Sequence, residues 1–143
     1  MAKAFKFSVN MEPHGQGRPR FGNGRVYESK ADIEAKRILA EAAKKVIAQV
    51  DYEKAPNGEP VVLIVDIYGK FPKSLPKKVI EREFTIKPDV DNVAKSVMDA
   101  LSGIAYEDDS QVVTLVAEKH AAQRGIEPHL NIEVFWRDHP YDR

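Results

Sequence analysis

The sequence predicts one α/β domain spanning residues 1–143, a mixed β-sheet with two main helices in the order β-α-β-α-β-β. Three observations carry that expectation. Residues 3–11 and 129–136 alternate apolar and polar side chains with the period of a half-buried strand. Residues 61–68 form a nearly unbroken β-branched run, which predicts a central strand buried on both faces. Two other stretches repeat apolar residues at helical spacing.

Composition bounds the class. A chain of 143 residues buries a core of its own without covalent staples. It has no cysteine, which excludes a disulfide scaffold and a thiolate zinc site. No apolar run approaches the ~20 residues that cross a bilayer. The first residues lack the apolar core of a signal peptide, so the expectation is a cytoplasmic protein with no membrane partner. The charges balance at 22 basic and 22 acidic residues, but they are not evenly spread. Residues 1–30 carry six Lys or Arg against two acids, and so do residues 70–87. Residues 99–111 carry four acids and no base. Two basic segments and an acidic one suit a metal-dependent protein acting on nucleic acid, although such loops also occur merely as solvated surface.

The elements follow in order. In the first strand Phe5, Phe7 and Val9 share one side. Asn23-Gly24 then marks a tight hairpin that would present Arg18, Arg20 and Arg25 to phosphate, beside Phe21 and Tyr27. Ser29 with Asp32 forms an acidic variant of the capping box, opening a long helix to about Gln49 with Ile33, Ala40 and Val46 on its apolar stripe. Pro56-Asn57-Gly58 is a turn, and residues 61–68 are the central strand, with Asp66 an unusual polar member. The proline-broken loop of residues 70–78 presents Lys73, Lys77 and Lys78 and is read as mobile. After a second helix, residues 112–121 and 129–136 are expected to pair as an antiparallel hairpin. The four histidines lack ligand spacing, which argues against a histidine zinc site.

The stretch Lys87-Pro88-Asp89-Val90-Asp91-Asn92-Val93-Ala94-Lys95 carries the chemistry. Pro88 favours extended geometry before it, and alternate residues of an extended segment project to one side, so Asp89 and Asp91 converge. Asp91 is the expected cap of the second helix, on which Val93, Ala94, Val97, Met98 and Leu101 share one arc and Asp91, Lys95 and Asp99 the other. A second acidic group, Glu107-Asp108-Asp109, precedes the next strand. If helix and strand pack together the two groups can meet, and converging carboxylates with a lysine suit Mg²⁺ and a phosphate. A D-x-D alone equally suits a helix cap and a surface ion pair.

The order D-x-D-N-x-x-K, a short amphipathic helix, then D-D-x-Q leading into a strand is more specific. It resembles the RusA family of Holliday-junction resolvases, most closely from Asp89 to about Lys119. The resemblance implies a RusA-like fold and a homodimer that resolves four-way or branched DNA in recombination and repair by paired nicks. It also implies one or two Mg²⁺ ions and a phage or prophage origin. Carried over residue by residue, it places catalysis on Asp89, Asp91, Lys95 and Asp109, metal binding on Asp89, Asp91 and Asp109 with Asp108 as an adjunct, and a phosphate contact on Lys119. The competing readings are a non-catalytic branched-DNA-binding module of the same fold, and another D-x-D enzyme of phosphoryl or glycosyl transfer.

Overall fold

In the computed structural model, residues 1–17, 20–22 and 24–136 are described, with the backbone alone at 20, 21 and 25–27. A four-stranded sheet organises them. Its strands are β1 (Ala4–Asn10), β4 (Val61–Tyr68), β6 (Val112–His120) and β8 (His129–Trp136), in the spatial order β1-β8-β4-β6. β8 runs antiparallel to both β1 and β4, whereas β4 and β6 are parallel, so the sheet is mixed as expected.

Period-two patterning decides which face is covered. Phe5, Phe7 and Val9 of β1, Leu63, Val65 and Ile67 of β4, and Leu130, Ile132 and Val134 of β8 are buried on one face. Both helices lie there. Helix α1 (Lys30–Val50) packs on β1 and on α2 (Val90–Leu101), and α2 packs on β6. On α2 the fully buried Val93, Val97 and Leu101 occupy the predicted arc. Each contributes on the order of 1.5–3 kcal/mol by leaving water, and Leu101→Ala would cost ~2–5 kcal/mol.

Four expectations are corrected. First, β6 and β8 do not form a hairpin. After β6 the chain pairs β7 (Ala122–Gln123) with β5 (Glu81–Arg82) and leaves the sheet edge. β4 takes the place beside β8, where the backbone N–H and C=O groups of this largely buried strand are paired on both edges. Second, β4 is covered on one face only: Ile64, Asp66 and Tyr68 are partly exposed on the other. Third, the buried stripe of α1 is Asp32, Ala35, Leu39 and Ala43, and Ile33 is 54 % exposed. Asp32 is drawn inward by hydrogen bonds, which rotates the stripe away from Ile33. Fourth, Asp89 and not Asp91 caps α2, with no side-chain capping bond; Asp91 lies in its first turn.

β2 (Arg20–Gly22) and β3 (Arg25–Tyr27) pair as an antiparallel ribbon, as expected of a hairpin here, with Asn23 of the expected turn outside the described residues. Gly24 has φ +73°, a conformation that favours glycine. Arg18 lies outside the described residues, and Arg20 and Arg25 are placed by their backbone alone. Ser29 caps α1 by accepting from the Asp32 amide at 3.1 Å.

Candidate active site at the start of the second helix

The segment carrying Asp89 and Asp91 is held from outside its own sequence. Lys119, near the end of β6, donates from Nζ to the carbonyl of Ile86 at 2.7 Å and of Pro88 at 3.0 Å. Its ammonium also lies 4.1 Å from the centroid of the Phe84 ring. Two hydrogen bonds from one charged donor fix the backbone immediately before Asp89. The expected phosphate contact at Lys119 therefore meets an ammonium already engaged by protein carbonyls. Beyond this clamp Lys87 Nζ is 3.3 Å from Asp89 Oδ2, an exposed pair of little energetic weight. Asp91 accepts from the Asn92 amide at 3.0 Å. Asp89, Asp91 and Lys95 are all exposed, with Asp91 and Lys95 one turn apart on the same side of α2. The N-terminus of α2 adds a positive helix dipole, which favours anions there.

The irregular arm of residues 14–17, which precedes the basic ribbon in the chain, docks on this segment. The Gln16 amide donates to the carbonyl of Asn92 at 3.1 Å. A Cβ added at Gly15 would stand 2.9 Å from Pro88 Cβ and 3.2 Å from Asn92 Cβ, so only glycine allows this close approach. His14 Nε2 meets Asp32 Oδ1 at 2.5 Å, and the Gly17 amide donates to the same oxygen at 3.4 Å. Burial raises the Asp32 pKa, but the hydrogen bonds from His14, Gly17 and Ser29 and the nearby His14 charge outweigh it and hold the carboxyl below its ordinary value. The arm is thus fastened to α1 on one side and α2 on the other. Beside Pro88 opens a cleft of about 290 Å³ whose walls include Lys70, Arg82 and Lys87.

The second acidic group lies elsewhere in the chain. Asp109 begins a 3₁₀ turn (Asp109–Gln111) for which Asp108 is the cap, its Oδ2 accepting from the Ser110 amide at 3.0 Å. The hydrogen bonds from Ser110 hold the Asp108 carboxyl below its ordinary value. Gln111 is buried and uses both ends of its amide: Oε1 accepts from Glu107 and Asp108, and Nε2 donates to the carbonyls of Pro56 and Glu59. Tyr106, fully buried, donates to the Met98 carbonyl at 2.7 Å. Burial raises its pKa, as do the neighbouring charges of Asp109 and Asp99. This group therefore sits past the C-terminal end of α2, whereas β6 returns to bring Lys119 to Pro88. α2 has 12 residues, a rise of ~18 Å. Among the described residues the carboxylate oxygens of Asp89, Asp91 and Asp109 do not gather within 4.8 Å of one another, so the two acidic groups, expected to meet if helix and strand pack together, do not meet within one chain.

The basic loop after β4 is anchored where mobility was expected. Arg124 donates to the carbonyls of Leu75, Pro76 and Val79 and lies 4.6 Å from the Phe71 ring centroid. Lys73, Lys77 and Lys78 remain exposed on it. The sequence reading missed Gln111 and Arg124 as holding residues, because their partners lie 45 to 55 residues away. The D-D-x-Q spacing was the available signal for Gln111. Asp66, whose role the sequence leaves open, accepts on Oδ1 from His120 Nε2 at 2.7 Å on the uncovered sheet face.

Among the described residues no helix is long and apolar enough to cross a membrane. The chain is 35 % identical over 139 residues to a protein of Bacillus subtilis (strain 168) described as uncharacterized protein YqaN, covering 90 % of this chain and 94 % of that one. The sequence model of the family described as endodeoxyribonuclease RusA matches residues 10–134, which include the docked arm, both acidic groups and Lys119. The chain belongs to the RusA family of endodeoxyribonucleases.

Proposed function

We propose that this protein is a Mg²⁺-dependent endonuclease that resolves four-way DNA junctions, working as a homodimer. One observation carries the reading: the arm leading to the basic ribbon packs directly on the segment bearing Asp89 and Asp91. The ribbon that follows this arm in the chain is thereby tethered beside the carboxylates. A phosphodiester gripped by the ribbon and by the lysines of the anchored loop is then held near the aspartates.

The donor set fits the ion. Mg²⁺ keeps much of its water and is held by one or two carboxylates together with phosphate oxygens; two neighbouring exposed aspartates answer that demand. When bound, the ion supplies activated water and stabilises charge on the phosphate. Asp89 and Asp91 bind it, Lys95 orients the scissile phosphate and offsets its growing charge, and Lys119 keeps the aspartate backbone in place. Asp108, adjacent to Asp109 and engaged as a cap through Oδ2, serves as an adjunct from the same copy that supplies Asp109.

Asp109 joins this set from a second copy. β6 is an edge strand, and Val113, Leu115 and Val116 on it are 61, 44 and 40 % exposed. An apolar edge strand is a template for pairing with another chain. Antiparallel pairing of two β6 strands about a two-fold axis sets the beginning of one beside the end of the other. Asp109 of one protomer then approaches Asp89 and Asp91 of its partner, and the dimer holds two equivalent sites for two nicks.

The test is cleavage of a synthetic four-way junction, a fork and a linear duplex, with and without Mg²⁺. We expect paired nicks in the junction that require the metal. Junction binding without cleavage at any metal concentration would instead favour a binding module, and absence of junction binding would remove the DNA reading.

A further inference from the structure

We propose that Asp66, Glu118 and His120 form a second metal site, for a divalent transition ion of the zinc class, on the uncovered face of the sheet. It uses none of the aspartates of α2, and two of its ligands lie on β6, the strand proposed above to pair with a second copy. Asp66 is on β4 and the other two are on β6, in parallel strands whose register sets Asp66 opposite Glu118 and Tyr68 opposite His120. One ligand atom from each of the three lies within 4.8 Å of the other two. His120 Nε2 is 2.7 Å from Asp66 Oδ1 and 4.0 Å from Glu118 Oε2.

These separations suit an ion at the centre. Ligands ~2.1 Å from a metal are ~3.0 to 3.4 Å from one another in octahedral or tetrahedral arrangements, so small side-chain rotations suffice. Two carboxylates opposite one another on neighbouring strands repel unless a cation lies between them. One imidazole and two carboxylates are a mixed nitrogen and oxygen set, which selects a borderline transition ion over Mg²⁺. The imidazole is also held in orientation. His120 stacks on Tyr68 at 4.7 Å between centroids, and Tyr68 stacks on His129 at 4.3 Å, three rings across three strands. Asp66 also borders a groove with Lys6, Ser8, Asn131 and Glu133, which leaves room for water or a further ligand on the ion. Histidine spacing along the chain gave no hint of this, since the set combines an E-x-H pair on one strand with an aspartate 52 residues before Glu118. Bound there, the ion fastens edge strand β6 to β4 beside Lys119.

The experiment is calorimetric titration of Zn²⁺ into chelator-stripped full-length protein in excess Mg²⁺. A folded Asp89→Asn, Asp91→Asn double variant serves as background, so that the aspartates of α2 cannot contribute. We expect one zinc per chain, a visible d–d spectrum when Co²⁺ replaces zinc, and a zinc-dependent rise in Tm. Glu118 is 62 % exposed at its side chain, so Glu118→Gln leaves the fold intact. Affinity should fall by at least the ~10-fold that losing even an outer-shell partner costs, and the Tm rise should disappear. No zinc uptake by the double variant, or equal uptake by Glu118→Gln, would overturn the site and leave His120–Asp66 as a plain cross-strand ion pair.

Discussion

Lys119 shows at the scale of one residue how position changes a role. A lysine at a strand end beside acidic groups suggests a phosphate contact, but its donors are turned onto the Ile86 and Pro88 carbonyls. We expect Lys119→Met to lower kcat by ~10-fold or more, equivalent to at least ~1.4 kcal/mol of barrier, with junction affinity and its salt dependence unchanged. A weaker affinity with a shallower salt slope would restore the phosphate contact. Asp32 acts by a different route, joining the arm at His14 and Gly17 to α1. Its folded pKa is lowered from 3.8, so its stabilisation is complete above that ordinary value and is lost as pH falls through the lowered one. Asp32→Ala should cost about 2 kcal/mol at neutral pH. The difference from wild type should shrink at the acid end, as read by urea unfolding at several pH values. A difference that stays constant with pH would mean that shape, and not charge, is what Asp32 contributes. That Asp89, Asp91 and Lys95 lie together, exposed, at the start of α2 was legible in the sequence because their relation is local. Asp32, Gln111, Lys119 and Arg124 were not, because each makes its decisive contacts with residues 15 to 55 positions away.

Among the elements, those set by a repeating pattern were located correctly, although β4 is covered on one face and not on both. β1, β4, β8 and α2 follow from alternation, a β-branched run and a clean helical arc. Pairing was harder. Alternation in β8 fits any antiparallel partner, and nothing in the local pattern of β6 or β8 places β4 between them. The two-residue strands β5 and β7 carry no periodicity to detect. The ribbon of β2 and β3 was legible from Asn23-Gly24, but its attachment to α2 was not, since Gly15 fits against Pro88 only after folding. Replacing Arg18, Arg20 and Arg25 with alanine should weaken junction binding and flatten its log–log salt dependence by about one unit for each phosphate the ribbon no longer neutralises. An unchanged slope would take the ribbon off the DNA. Gly15→Ala separates grip from alignment: it should leave the salt slope intact and reduce cleavage, because the added methyl pushes the arm from Pro88.

At the scale of the whole molecule, Asp109 follows the far end of α2 from Asp89 and Asp91 and does not cluster with them in one chain, which is why the proposed site draws on a second chain. The length of α2 and the return path of β6 set that arrangement, so bending a loop does not bring the two groups together. The proposed pairing of two chains along β6 would bring them together, with each site built from both. Asp91→Asn alone and Asp109→Asn alone should each abolish cutting, since an amide lacks the charge to hold Mg²⁺. Mixing the two inactive proteins under conditions that exchange protomers gives a different result for each architecture. With shared sites, a mixed dimer has one site assembled from the intact Asp89 and Asp91 of the Asp109→Asn chain and the intact Asp109 of its partner. The other site carries both substitutions. Such a dimer nicks the junction once, so single nicks should return on mixing while paired resolution stays absent. If each chain completed its own site, both sites in the mixed dimer would be damaged and mixing would restore nothing. The readout is a denaturing gel of a junction labelled on each strand, with light scattering on the same samples to follow the dimer. Return of single nicks in a sample that remains monomeric with junction bound would contradict the pairing along β6, and no return in an exchanged dimer would place Asp109 outside the shared site.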